Sequence, residues 1–236
     1  MNDTAPRRLS ATLIARRQLG PGVVLLRFRM FEGDRLSWLP GQHLTLATYD
    51  QAQTAIPYSI ASAPEGMPEG EFELAVSANG GQELLARLQP GTQVYLTPPE
   101  GRFVWEQAPG ATLFVGMGTG LSPLRAMLQA VLARTDHDPV VLLFGARSEA
   151  DILFRDEFAE LAAQQPRFAF EPTLSQPGAA WRGRAGRVQD HLAGIAGNLR
   201  DISAYVCGSR AMVADCTTRL TGALGVNPTR VFSEAH

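Results

Sequence analysis

Two short stretches carry residue types that could do chemistry. Within Pro57-Tyr58-Ser59-Ile60-Ala61-Ser62, an aromatic ring stands next to a hydroxyl. A phenol ring can stack on a flat heteroaromatic ring, and a serine can donate a hydrogen bond to a ring nitrogen. Further along, Gly116-Met117-Gly118-Thr119-Gly120-Leu121-Ser122-Pro123 follows an apolar run. Glycines allow a tight turn and a close backbone approach to a ligand. Ser122 suits an N-cap and Pro123 the first helical position. The helix after them would aim free N–H groups and a partial positive charge at an anion such as a pyrophosphate. Each stretch also has an ordinary reading: a strand with a buried tyrosine and a surface serine, and a tight strand-to-helix connection. The glycine run lacks the third glycine of the dinucleotide fingerprint, with Pro123 near that place.

Different kinds of element must position the two stretches. In the first hundred residues Val24, Leu26, Phe28 and Met30 alternate with Leu25, Arg27 and Arg29, and Phe72, Leu74 and Val76 alternate with Glu73 and Ser77. Val94 and Leu96 repeat the pattern, which is that of strands with one buried face. Gly and Pro punctuate these runs at Gly20-Pro21-Gly22, Pro40-Gly41, Ala63-Pro64 and Pro90-Gly91. Short strands so spaced predict an antiparallel β-barrel, interrupted by one short helix over Gln82–Leu88. The texture changes at Glu106-Gln107-Ala108-Pro109-Gly110, which reads as a linker. Beyond it the apolar run Ala111–Val115 precedes Leu124, Met127, Leu128, Val131 and Leu132, one face of a helix. Val140–Phe144 and Ala204–Cys207 read as further strands, each followed by a helical pattern. This alternation predicts a doubly wound parallel α/β sheet. The expected domains are therefore 1–107, the barrel, and 108–236, the α/β domain.

Composition excludes several classes of function. The 236 residues carry a formal net charge of -2, with acids and bases interspersed, which gives no footprint for nucleic acid. No apolar run is long enough to span a bilayer, and Met1–Arg8 lacks the apolar core of a signal peptide. A cytoplasmic protein is expected. Cys207 and Cys216 form no cluster, and His43, His137, His191 and His236 have no metal-ligand spacing, so no metal site is expected. In a reducing compartment the two cysteines would not pair.

Taken together, and in this order, the motifs resemble the ferredoxin–NADP reductase superfamily over essentially the whole chain. The resemblance rests on Pro40-Gly41-Gln42, Pro57-Tyr58-Ser59, Pro90-Gly91, Pro99-Glu100-Gly101-Arg102-Phe103, Gly116 to Pro123, Gly145-Ala146-Arg147, Tyr205-Val206-Cys207-Gly208 with Met212, and Glu234 close to the C-terminus. It implies a flavin-binding barrel followed by a nicotinamide-nucleotide domain. By that resemblance Tyr58 would stack on the isoalloxazine, Ser59 would hydrogen-bond near its N5, and Ile60 and Ala61 would continue the flavin strand. Gly80, Gly81 and Gln82 would approach the flavin phosphate. Gly116, Gly118, Thr119, Gly120 and Pro123 would form the pyrophosphate turn. Cys207, Gly208 and Met212 would border the nicotinamide, with Glu234 near the reacting rings. Gly145, Arg147 and the stretch Ser175 to Arg184 would lie near the adenosine half. Ser59, Cys207 and Glu234 are the candidate catalytic residues. For Cys207 a small buried apolar group, and for Glu234 a solvated tail residue, are equally open.

Two departures matter. The family's flavin strand usually has an arginine two residues before the tyrosine, where this chain has Ile56, and the hydroxyl usually found after the Gly-Gly pair is Leu84 here. Both habitual side-chain contacts to phosphate are missing. A hydrogen bond to a charged group contributes about 1.5–3 kcal/mol, so FAD would be held loosely, or FMN or riboflavin used instead. The resemblance therefore implies an NAD(P)H-dependent reductase that passes electrons to a ferredoxin, a flavodoxin or an oxygenase component. The alternatives are a flavin reductase that releases reduced free flavin, and a subunit that kept the fold without turnover. Arg147, Arg182, Arg184 and Arg210 are each candidates for a 2′-phosphate, while Trp181-Arg182-Gly183-Arg184-Ala185-Gly186 resembles a loop of enzymes that accept NADH. The choice between NADH and NADPH stays open.

Overall fold

A computed structural model of the chain describes residues 9–48, 56–78, 83–135 and 138–235. The expected flavin contacts Gly80, Gly81 and Gln82 lie outside the described residues. The chain divides into two compact units. The first holds residues up to Trp105 together with Arg125–Ala130, and the second holds Glu106–Leu124 and Val131 onward.

In the first unit the strands are β1 (Leu9–Gly20), β2 (Val23–Met30), β3 (His43–Thr48), β4 (Ile56–Ser59), β5 (Glu71–Ser77) and, after the short helix α1 (Glu83–Ala86), β6 (Gln93–Leu96). They pair antiparallel in the order β4-β3-β6-β1-β2-β5. The ends of that order meet where Ile60 bridges Leu74, so the sheet closes on itself as a barrel. Closure removes the open edges that a sheet of this length would otherwise present. The alternating residues fill the inside: Leu26, Phe28, Leu44, Leu46, Phe72, Leu74, Val94 and Leu96 are buried, and the Phe28 and Phe72 rings stack with centroids 5.3 Å apart. Helix α1 is shorter than expected.

The second unit runs β7 (Thr112–Met117), α2 (Leu121–Leu132), β8 (Val140–Ala146), α3 (Arg155–Gln164), β9 (Phe168–Leu174), β10 (Arg184–Ala185), α4 (Val188–Ala196), β11 (Ser203–Gly208), α5 (Arg210–Thr221) and β12 (Val231–Ala235). All six strands are parallel, in the order β10-β9-β8-β7-β11-β12. Strands buried on both faces need continuous apolar sequence, and β7 and β8 supply it. On one face Leu113, Val115, Val141, Leu143, Ala204 and Val206 pack against Val188, Leu192 and Ile195 of α4 and Met212, Val213 and Cys216 of α5. On the other, Phe170, Leu142, Phe114, Tyr205 and Phe232 form one row across five strands. Phe158 of α3 meets Phe170 there, with ring centroids 5.3 Å apart.

Winding goes outward from β7 in one direction through β8, β9 and β10, and then in the other through β11 and β12. The carboxyl ends of β7 and β11 are therefore the topological switch point, where doubly wound sheets leave a crevice for a ligand.

Candidate functional site

The glycine motif is at that switch point, but its parts do different jobs from those expected. Strand β7 extends through Met117, so Gly116 is strand rather than turn; a Cβ there would come within 2.7 Å of Leu124 Cδ1. Gly116 thus lets α2 pack on the sheet. The turn proper is a 3-10 turn over Gly118–Gly120 that runs directly into α2 at Leu121. Gly120 is buried, and a Cβ on it would lie 2.6 Å from the Cys207 carbonyl oxygen. Gly118 has φ +54 and open space around it, and it alone of the three lines the adjoining cleft. Ser122 is not the cap. It lies inside the first turn of α2 with its hydroxyl buried and unpartnered among the described residues, because the 3-10 turn already begins the winding four residues earlier. Pro123 is correspondingly a helical residue beyond the first, and Thr119 does not line the cleft.

The cleft, of about 480 Å³, is lined by Met117, Gly118, Gly145, Ala146, Arg147, Asp151, Ser175, Gln176, Gly186, Arg187, Val188, Gln189, Ser209, Ala211 and Met212. That size is in the range of small-molecule sites. It takes in the expected Gly118, Gly145, Arg147 and Met212, together with Ser175 and Gln176 from the expected adenosine stretch. Two helices begin on it. Arg187, Val188 and Gln189 form the start of α4, and Ser209, Ala211 and Met212 the start of α5, where the Ser209 hydroxyl accepts from the Met212 N–H at 3.4 Å. Two positive helix ends and one left-handed glycine make an anion-binding wall. The residues present therefore fit a nucleotide carrying a pyrophosphate.

Of the four nominated arginines only Arg147 lines the cleft, its Nε donating to Gln176 Oε1 at 2.9 Å. Arg184 is paired with Glu171 at 2.7 Å, and Arg182 bonds the carbonyls of Ala179 and Trp181. Arg187, which the motifs did not single out, also lines the cleft, at the start of α4. Only folding brings it beside Arg147. Met117 was also missed; it is 39% exposed, and its sulfur accepts from the Ser209 hydroxyl at 3.6 Å.

Gly116, Cys207 and Glu234 occupy one row across β7, β11 and β12. Cys207 is wholly buried, and burial together with the Glu234 carboxylate pushes its thiol well above the ordinary cysteine range. It stays protonated and contributes shape. A Cβ on Gly208 would meet Met212 Cε at 2.6 Å and Met117 Cγ at 2.8 Å, so Gly208 makes room for both methionines. Cys216 is the other free thiol, also buried.

In the first unit β4 splits the expected pair. Successive strand residues face opposite sides. Tyr58, across from Leu44, points into the barrel core, 4% exposed, with no partner for its hydroxyl among the described residues, and burial pushes its phenol up to about 12. Its ring is covered by core residues and offers no open face for stacking. Ser59 faces outward, half-buried, and its hydroxyl makes no hydrogen bond to the described residues. It fits a donor to a flavin ring. His43 stands across from Ser59 on β3. The Ile60 N–H donates to the Gln42 carbonyl beside them, so theirs is the pair type in which side chains come closest. Glu100 Oε1 is 3.7 Å from His43 Nε2. Neither His43 nor Glu100 was distinguished by sequence spacing. Ile60 and Ala61 are buried, and their N–H groups donate to Gln42 and Glu73 carbonyls.

The chain can be compared with known proteins on this geometry. Residues 10–105 match the oxidoreductase FAD-binding domain family and residues 114–218 the oxidoreductase NAD-binding domain family. The chain is 38% identical to ferredoxin–NADP reductase B of Sorangium cellulosum, over 96% of each chain. It is 30% identical to the ferredoxin–NAD(P)(+) reductase component of the naphthalene 1,2-dioxygenase system of Pseudomonas putida, over 98% of this chain and 70% of that one. Among solved structures, the Amycolatopsis cytochrome P450 reductase GcoB superposes with a TM-score of 0.86 at 26% identity, covering 97% of this chain and 69% of that one.

Proposed function

Because the chain belongs to the ferredoxin–NADP reductase superfamily, we propose that the cleft of the second unit takes the nicotinamide nucleotide and that the Ser59 end of β4 faces the flavin. The protein is an NAD(P)H-dependent flavoprotein reductase with FAD as its flavin, and it passes electrons to a ferredoxin or oxygenase-type acceptor. We take 1–107 as the flavin domain and 108–236 as the nucleotide domain. The cleft carries this reading: two helix N-termini, Gly118 and two arginines converge where the sheet reverses its winding.

When bound, FAD would supply the hydride- and electron-transfer chemistry. The chain's own residues bind and orient. Arg147, Arg187 and the N–H groups of α4 and α5 hold the nucleotide phosphates. The Ser59 hydroxyl would donate toward a flavin ring nitrogen, with His43 beside it across the strand pair. Cys207, protonated and buried, shapes the site with Gly208 and Met212. Glu234, at the end of β12 in the row of Cys207, is the remaining candidate near the reacting rings.

A second reading is favoured by two observations. Ile56 replaces the usual phosphate-binding arginine, and the Tyr58 ring is covered. Both weaken the hold on FAD and favour a reductase that releases its reduced flavin. An absorbance spectrum of the purified protein separates the two. Bound FAD gives a yellow protein that NADH or NADPH bleaches anaerobically, whereas a releasing enzyme is nearly colourless and shows a rate that saturates with added flavin. No bleaching with either nucleotide, even with flavin added, would remove both. Among the described residues no helix is long and apolar enough to cross a membrane; the free thiols Cys207 and Cys216 support a cytoplasmic location.

A further inference from the structure

The backbone that leaves β4 after Ser59 is fixed by side chains as well as by other backbone. Strand β4 ends at Ser59, Ile60 makes a single bridge, and Ala61 to Ala63 belong to no strand. All four of these residues are nonetheless buried. Buried backbone groups must find partners; here the Ile60 and Ala61 N–H groups and the Ala63 carbonyl bond to backbone, and side chains hold three others. Arg125 Nη1 donates to the Ala61 carbonyl at 2.7 Å. One helical turn on, Gln129 Oε1 accepts from the Ala63 N–H at 2.8 Å. Trp38 Nε1 donates to the Ser62 carbonyl at 2.8 Å, and the Ser62 hydroxyl accepts from the Glu73 N–H at 3.1 Å. Arg125 is itself held, the same Nη1 reaching Glu73 Oε2 at 2.8 Å, with the two side chains only 8% and 12% exposed.

We infer that Arg125 is a positioning residue for Ser59: its guanidinium fixes the carbonyl two residues on, and with it the backbone that directs the Ser59 hydroxyl. The inference rests on the reading of Ser59 as the group facing the flavin. The charges of Arg125 and Glu73 cancel, so the pair contributes geometry rather than field. A buried ion pair kept for stability alone is dispensable as a pair, because apolar residues of similar volume commonly replace it at no loss. A pair kept for what it grips is not.

The test is the double variant Arg125→Met with Glu73→Leu in the full chain. It removes both charges and frees the Ala61 carbonyl, while the Ala61 N–H keeps its bond to the Glu73 carbonyl. We expect a cooperative melt like that of the unaltered protein, with hydrogen exchange over 59–63 about tenfold faster without flavin. The dissociation constant for FAD, from quenching of its fluorescence, should rise about tenfold. Ser59→Ala should slow flavin reduction about tenfold or more in the native background but less than about threefold in the double variant, since the two changes act on one element. Native exchange and FAD affinity in the double variant, or an equal Ser59→Ala cost in both backgrounds, would overturn the inference alone. Failure of the unaltered protein to quench FAD would overturn the flavin reading and the inference with it. If the double variant does not fold, Arg125→Lys, which keeps a charge beside Glu73 on a single-nitrogen head, is read by the same exchange and FAD measurements. Smaller shifts in the same directions support the inference, and no shift rejects it.

Discussion

The nucleotide cleft and the Ser59 strand are built from different materials. The cleft is made of backbone: helix starts, a left-handed Gly118, and neighbouring glycines whose missing side chains let elements touch. The Ser59 region is irregular chain tied down by Arg125, Gln129 and Trp38. The first kind of site fails when atoms are added and the second when they are removed. A clash in a glycine-built wall is local and steric. A lost tether instead strands a buried partner and frees a segment.

That contrast can be broken in order of expected effect. The largest belongs to Arg125→Met alone, which leaves the Glu73 carboxylate buried without its partner; about 3–5 kcal/mol of stability should be lost, read by urea denaturation. A loss under about 1 kcal/mol would mean that Glu73 escapes to water and that the tether is weak. Gly120→Ala comes next. Its Cβ would collide with the Cys207 carbonyl, backbone that cannot swing aside, at a cost of about 1–3 kcal/mol, whereas Gly118→Ala meets open space and costs only the strain of its positive φ, roughly 1 kcal/mol. Equal effects of the two on thermal unfolding would sink the division of labour among the glycines. Ser59→Ala should slow flavin reduction tenfold to a hundredfold, about 1.4–2.8 kcal/mol, with FAD affinity changed far less. An unchanged rate in stopped flow would take Ser59 out of the chemistry.

The smallest effect sharpens the same comparison from within the barrel. Tyr58→Phe deletes a buried hydroxyl with no partner among the described residues, so stability at neutral pH should hold or rise by about 1 kcal/mol, and FAD affinity should not change. The folded phenol is lifted to about 12 from an ordinary 10.0. The unfolded chain therefore loses this proton first, and the folded form is favoured fully below pH 10 and progressively less as pH climbs toward 12. Tyr58→Phe should flatten that alkaline decline in urea melts. Weakened FAD binding would mean instead that the hydroxyl reaches the flavin.

Much of this was legible in the chain. Alternation at Val24–Met30 and Phe72–Val76 identified barrel strands, and the apolar runs at Ala111 and Val140 identified parallel ones, because period and burial are local consequences of strand geometry. The glycine motif was found for the same reason. Its internal assignments failed at Ser122 and Gly116, where one residue of strand or helix more or less changes what a side chain faces. Arg187 gave no signal, since it is far from Arg147 in sequence. The motif puts Tyr58 and Ser59 on one ring, whereas strand alternation sets them on opposite faces.

The sequence by itself determined the two kinds of sheet, their order along the chain and the family to which the chain belongs, since hydrophobic period and glycine placement act over a few residues. Only the tertiary structure decided that Arg147 and Arg187 share a cleft, that Tyr58 is core while Ser59 is surface, and that Arg125 grips Ala61. Those outcomes depend on strand register, on barrel closure at Ile60 and Leu74, and on where buried backbone finds its hydrogen bonds, and none of these is a property of neighbouring residues.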